Sequence, residues 1–243
     1  MKRSTLFPPI AALFVATLLI VSCTPAVKIV GSGNLVTDTP AIDGFTQIDA
    51  GHTFKVTITR GSEFKVGIRA DDNVMPLLDI KKSGDTLNLG FKDGDSYSLK
   101  NVTLEANVTM PKLNAIDFSG ISRATFGGFE STDAFKARLS GASKLSGNLV
   151  CGDVNLQLSG ASFAELRGSG KDLRVEVSGA SSAILGKLAT ANGHIEASGA
   201  SQVTADVRST LNAEASGASK ITYSGNPKIG SIKTSGAAKI EAN

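Results

Sequence analysis

The sequence predicts an all-β protein: a parallel β-solenoid (a β-helix, with right-handed coiling expected) of two-strand coils about 19 residues long, preceded by a β region without a repeat. Three observations carry this. First, Ser-Gly-Ala-Ser or a close variant begins at Ser119, Ser140, Ser159, Ser178, Ser198, Ser216 and Ser235, at spacings of 21, 19, 19, 20, 18 and 19. Second, the residues before each copy alternate between apolar and polar, the period of a half-buried strand. Third, Gly is 26 of 243 residues while Pro is 7 and Trp is absent. A hydrophobic content of 41% still provides a core, and aromatics at 5% require that core to be thin and aliphatic.

The chain opens with an export signal, residues 1–22. Lys2 and Arg3 form a positive start, and residues 10–21 form an uncharged apolar run. That run is shorter than the roughly 20 residues a membrane-spanning helix needs, and it fits a secretory signal. It ends in Leu19-Ile20-Val21-Ser22-Cys23, which resembles the bacterial lipobox with Ile20 where Leu is usual. Cys23 is therefore the expected lipid attachment site, and residues 23–33 an anchor linker. Cys151 is then left without a disulfide partner, as a small hydrophobe or a quiet thiol. The residues after Cys23 are Thr24, Pro25 and Ala26. Without an Asp directly after the Cys, the expected location is the bacterial outer membrane, on the periplasmic side or at the cell surface.

Residues 34–110 read as strands that cap the solenoid. Phe54, Val56 and Ile58 alternate, as do Phe64, Val66 and Ile68, and Arg60-Gly61-Ser62-Glu63 between them reads as a hairpin loop. Leu87, Leu89 and Phe91 alternate next, then Val102 to Met110, before Pro111 ends the strand. Asp71-Asp72-Asn73 and Asp93-Gly94-Asp95 read as turns.

Residues 111–243 are the solenoid. The inward pairs are Ile116/Phe118, Ala137/Leu139, Leu156/Leu158, Val175/Val177, Ile195/Ala197, Ala213/Ala215 and Ile232/Thr234. Alternation resumes after the motif at Ala124, Leu145, Ala164, Ala183, Val203, Ile221 and Ile240. Second turns are expected at Gly127-Gly128, Gly152, Gly168-Ser169-Gly170, Asn192-Gly193 and Gly225-Asn226-Pro227. Seven coils at about 4.8 Å per rung make a rod roughly 30 Å long. Continued inward parity places the motif's Gly (Gly120, Gly141, Gly160, Gly179, Gly199, Gly217 and Gly236) and its last Ser inside a tight corner. On that reading Gly avoids a Cβ between close sheets, and the serines form a hydroxyl ladder.

On these features the chain resembles the bacterial family named putative auto-transporter adhesin, head GIN domain. The lipoprotein signal, the Gly31-Ser32-Gly33 and Gly44-Phe45 region, and the recurring Ser-Gly-Ala-Ser turns carry the likeness over residues 30–243. The resemblance implies a β-helix shaped like pectin-lyase folds, with adhesion proposed for the family and no assigned catalytic residue. With no membrane barrel and no heptad stalk in the sequence, the auto-transporter part of that name does not carry over.

Function is less legible. A net charge of +3 with 25 basic and 22 acidic residues argues against a nucleic-acid partner. Two Cys and two His are too few for an ordinary zinc site, and no cofactor is expected. Glu176, Glu196 and Glu214 fall at one outward position on successive coils, with Arg174 and His194 beside them, giving a candidate surface-ladder binding site. Retaining glycosidases place carboxyl groups about 5–5.5 Å apart, so rung spacing alone allows chemistry. The ladder lacks an aromatic sugar platform, since Tyr97 and Tyr223 are the only tyrosines. His52 reads as structural, and Asp93-Gly94-Asp95-Ser96 lacks the ligand pattern of a calcium loop. The expected function is a non-catalytic, adhesin-like binding module for a glycan or protein ligand. The alternatives are a polysaccharide-active β-helix enzyme and a structural envelope scaffold. The last coil also carries an open edge, through which a homo-oligomer could form.

Overall fold

A computed structural model describes residues 26–92 and 97–243. The signal, Cys23 and Asp93-Gly94-Asp95-Ser96 lie outside the described residues. The strands of the first part are β1 (Val27–Val30), β2 (Leu35–Asp38), β3 (Gln47–Ala50), β4 (Lys55–Arg60), β5 (Lys65–Asp71), β6 (Leu78–Ser83), β7 (Thr86–Phe91), β8 (Tyr97–Lys100) and β9 (Leu104–Met110). The repeats supply β10 (Ala115–Phe118), β11 (Arg123–Glu130), β12 (Phe135–Leu139), β13 (Lys144–Val150), β14 (Val154–Leu158), β15 (Phe163–Ser169) and β16 (Asp172–Val177). They continue through β17 (Ser182–Ala197), β18 (Gln202–Ala215), β19 (Lys220–Ser224), β20 (Lys228–Thr234) and β21 (Lys239–Ala242).

These strands make a parallel β-solenoid of about six turns. One sheet runs β7, β3, β10, β12, β14, β16, then the second halves of β17 and β18, then β20. The other runs β9, β4, β11, β13, β15, then the first halves of β17 and β18, then β19 and β21. The inward positions read from the repeat are buried as far as Ala215 and Ile221. They stack in rows: Ile116 over Ala137, Leu156, Val175, Ile195 and Ala213. The last coil is open. β20 is exposed along its length, with Ile229 at 42% and Ile232 at 40%.

The corners correct the parity argument. The last Ser of each motif is buried as expected, Ser122, Ser143, Ser162, Ser181, Ser201 and Ser219 all being at most 1% exposed. The Gly, however, lies on the outside of the corner. From Gly120 to Gly236 it holds φ between 71° and 75°, the left-handed region that L side chains avoid. A Cβ there would also strike backbone. At Gly199 it would sit 2.7 Å from the carbonyl oxygen of Gly179, and at Gly217 2.8 Å from that of Gly199. The constraint is the corner stacked beneath, not the opposite sheet. Each corner bonds to the one before through the Ala amide, as in Ala161 N–H to Gly141 O at 2.7 Å and Ala200 N–H to Gly179 O at 2.8 Å. The ladder therefore continues through the bend.

The serines do not form a hydroxyl ladder. Ser143, Ser162 and Ser219 each donate to the carbonyl of the first Ser of the same motif at 2.8 Å, closing their own turn. Ser219 also donates to Ala197 O of the preceding coil at 3.0 Å, and Ser122 donates to Gly51 O at 3.0 Å, so the hydroxyls bond backbone carbonyls rather than one another. Asn192-Gly193 is not a turn either. β17 passes straight through it, and Gly193 faces inward, where a Cβ would meet Val207 at 2.7 Å. Close sheets thus explain this glycine rather than those of the corners.

The first part of the chain joins the same stack. β3 and β4 pair in register with β10 and β11, so Ala50-Gly51-His52-Thr53-Phe54 forms a corner beneath Phe118-Ser119-Gly120-Ile121-Ser122. His52 holds the glycine's place at φ 62°. Its ring packs on Phe91 at 4.7 Å, Phe91 in turn contacts Tyr97 at 4.8 Å, and burial lowers the His52 pKa. The hairpin read at residues 60–63 is not formed. β9 lies between β4 and β5, parallel to the first and antiparallel to the second. The connection crosses the end of β9, where Gly61 N–H bonds Met110 O at 3.1 Å. Alternation identified both strands, but β9 supplies a partner 50 residues away. β2 pairs antiparallel with β5, and β6 with β7, closing that end of the stack. Buried Asp71 accepts the Gly33 N–H at 2.7 Å and the Thr103 N–H at 2.8 Å, fixing both segments against the cap.

Replacing a corner glycine tests this arrangement. Gly179→Val places a β-branched residue at φ 72° against the backbone of Gly160. A loss of about 3 kcal/mol or more is expected in urea unfolding. An unchanged midpoint would mean that the corners are not stacked in this way.

Candidate functional site

Parallel in-register stacking turns each outward sequence position into a row along the axis. One row runs Asn88, Asp49, Asp117, Arg138, Gln157, Glu176, Glu196, Glu214 and Lys233. A second row two residues earlier holds Lys136, Asn155, Arg174, His194 and Asn212. The five residues singled out in the sequence therefore share one surface.

Four of them join a surface network of hydrogen bonds and ion pairs, from which Glu214 stands apart. Arg138 Nε donates to Gln157 Oε1 at 2.9 Å, and Gln157 Nε2 to Glu176 Oε2 at 3.1 Å. Arg174 bonds Glu176 through Nε at 2.9 Å and Nη2 at 2.7 Å, and its Nη2 lies 3.6 Å from Glu196. His194 Nε2 meets Glu196 Oε1 at 2.8 Å. Glu214 stands one rung further, 3.9 Å from Lys233. All these groups face solvent on a flat sheet, so each pair contributes little stability. What the network does is hold the long side chains in place.

Beside this row the corner bends away and leaves an open groove of about 480 Å³. One wall is the row from Asp117 to Glu214, and the other is the first serine of the motif: Ser140, Ser159, Ser178, Ser198 and Ser216. The groove spans five rung steps, about 24 Å. Sequence reasoning found the acidic row but assigned the motif only to the corner. The signal for the groove was present, since the first Ser recurs at the same spacing as the Glu.

The row also extends into the non-repeating part through Asp49 and Asp117, which are paired rungs. Burial and then the charge of Asp117 raise the Asp49 pKa above its ordinary value. Elsewhere, burial and then Asp153 push the Cys151 thiol up to about 11, which keeps it protonated and unreactive at neutral pH. Among the described residues no cluster of His, Cys, Asp and Glu is arranged to hold a metal ion.

The fold and this surface define a two-sheet solenoid that presents repeating polar rows to an elongated groove. The chain belongs to the family described as putative auto-transporter adhesin, head GIN domain, whose match spans residues 44–227. Solved structures with this fold include an adhesin named as putative from Bacteroides fragilis, 22% identical with TM-score 0.80, covering 88% of this chain and 100% of that one. A second so named, from Parabacteroides merdae, is 16% identical with TM-score 0.71 and covers 89% and 99%. A third, named a putative lipid binding protein, from Parabacteroides distasonis, is 17% identical with TM-score 0.69 and covers 89% and 99%. No curated protein matches the chain. Among the described residues no helix is long and apolar enough to cross a membrane.

The Asp49–Asp117 pair gives a pH test. A carboxyl whose pKa is raised by folding contributes stability below its unfolded pKa, and that contribution is lost as pH rises through the folded value. Asp49→Asn should therefore stabilise the protein at pH 7. The expected gain is about half a kcal/mol, small because the pair is partly solvated. The difference in urea midpoint should close near pH 3. A destabilised variant at pH 7 would contradict this account.

Proposed function

We propose that the protein is a lipid-anchored, non-catalytic binding protein of the bacterial envelope, attached through Cys23, with the groove as its ligand site. The family supports an adhesin-like role at the envelope or surface. The observation that carries the reading is the groove's periodicity. The same two kinds of side chain, a hydroxyl and a charged or amide group, recur on successive rungs over about 24 Å. A site that repeats along an axis suits a polymer that repeats along its length, and rows of donors and acceptors suit a hydroxyl-rich glycan.

Catalysis is the weaker reading on the same geometry. A glycosidase acid needs a carboxyl held protonated, usually by an apolar pocket. Glu176 and Glu196 instead lie open on a sheet, each beside the Arg174 guanidinium. No Tyr or Phe lines the groove to stack on a sugar ring.

Two measurements test the proposal. On a glycan array the lipid-free chain should bind extended polysaccharides. Gln157→Leu combined with Glu196→Lys should weaken that binding by about tenfold, equivalent to about 1.4 kcal/mol. Undiminished binding by the double variant would move the site off the groove. In cells, incorporation of labelled fatty acid should be lost in Cys23→Ala, and equal labelling of both chains would remove the anchor.

A further inference from the structure

The groove occupies one flank of its sheet, and a second trough runs along the other. This one is an open hollow of about 320 Å³ on β14, β16, β17 and β18. One wall is the row of Asn155, Arg174, His194 and Asn212, and the other holds Asp153, Asp172 and Asn192. It covers three rung steps, about 14 Å, all of them alongside the groove.

Side-chain pairing divides the face in two. On a strand, residues two apart point to the same side, and a bonded pair covers the backbone between them. Arg174 bonds Glu176 across Val175 at 2.9 Å, and His194 bonds Glu196 across Ile195 at 2.8 Å. These two bridges form a ridge, and neither Val175 nor Ile195 borders a trough. The strands stay uncovered on either side, at Val177 and Ala197 in the groove and at Leu173 and Gly193 in the hollow. Four residues separate the two floors, so the troughs run in parallel about 13 Å apart.

The hollow's chemistry is that of amides. Asn155 and Asn212 are half-buried, and neither makes a side-chain hydrogen bond among the described residues. On the far wall Asn192 Nδ2 donates to Asp172 Oδ1 at 2.7 Å. An amide both donates and accepts, as a sugar hydroxyl does. Charge argues against an anionic polymer: Arg174 stands against Asp153 and Asp172 in the hollow, and Arg138 against Asp117, Glu176, Glu196 and Glu214 in the groove. Straight troughs suit an extended ribbon, the shape of a β-1,4-linked glycan, whereas a coiled chain would leave them within a turn.

We propose that the hollow is a second ligand strip, and that the two strips together hold neighbouring chains of a packed, neutral, β-1,4-linked polysaccharide. The inference rests on the reading of the groove as the first strip. A single chain fills one trough only. A fibre surface offers parallel chains to both, so the second contact forms at high effective concentration once the first is made. Avidity of this kind takes the place of aromatic stacking, for which the groove has no side chain.

The test compares a fibre with a single chain of the same sugar. The lipid-free protein would be titrated with microcrystalline cellulose and with chitin fibres, and with the soluble β-1,4-linked hexamers of glucose and N-acetylglucosamine. A fibre should be bound on the order of a hundredfold more tightly than its hexamer. Asn155→Ala with Asn212→Ala should weaken fibre binding by about tenfold, while hexamer binding and the urea midpoint stay unchanged. Fibre binding unaffected by that variant would overturn the proposal. So would a fibre and a hexamer bound alike, or no binding to either fibre. The groove reading fails by a different result, hexamer binding that survives Gln157→Leu combined with Glu196→Lys.

Discussion

The fold depends on one close approach, that of each corner glycine to the backbone of the corner before it. A parallel stack can turn without breaking its ladder only if every coil bends at the same place with the same dihedral angles. At these corners the bend has φ near +72°, and the Cβ position is occupied by a carbonyl of the preceding rung. Hydrogen alone fits both requirements. The motif is therefore a packing constraint between successive coils, and its regularity in sequence is a consequence of their identity in space.

In-register corners impose register on everything else. Strand positions before and after the corner become rows, so the interior is a set of aliphatic columns and the exterior a set of polar ones. The chain of hydrogen bonds from Arg138 through Gln157 to Glu176 exists because residues 19 apart in sequence are neighbours on the surface. The groove follows from the same geometry: where the chain leaves the sheet at the first Ser, the departure repeats on each rung and becomes a continuous channel.

The repeat made the solenoid legible, including which residues face inward from Ile116 to Ala215. Two kinds of information were out of reach. Alternation reports that a segment is a strand without naming its neighbour, so β4 and β5 read as a hairpin although β9 separates them. Parity also fails wherever a residue leaves β geometry, which is why the corner glycines were assigned to the inside and the serine hydroxyls to each other. His52 shows the limit from the other direction. It occupies a corner-glycine position, but the glycine here, Gly51, stands one place early and no serine accompanies it, so the Ser-Gly-Ala-Ser spacing gives no sign of the corner. The acidic row was readable because three of its members are Glu at the repeat spacing. Its continuation through Asp117 and Asp49 was hidden by the detour of residues 61–110 between the two rungs.

Amide hydrogen exchange at the corners measures the central claim directly. The N–H groups of Ala142, Ala161, Ala180 and Ala200 donate to the glycine carbonyls of the preceding corners at 2.7 to 2.8 Å. Although these residues are exposed, their amides should exchange as slowly as those of the flanking strands, opening only when the stack unfolds. Exchange at the rate of a solvated loop would contradict the account, because the corners would then be separate turns and the rows they align would have no common register.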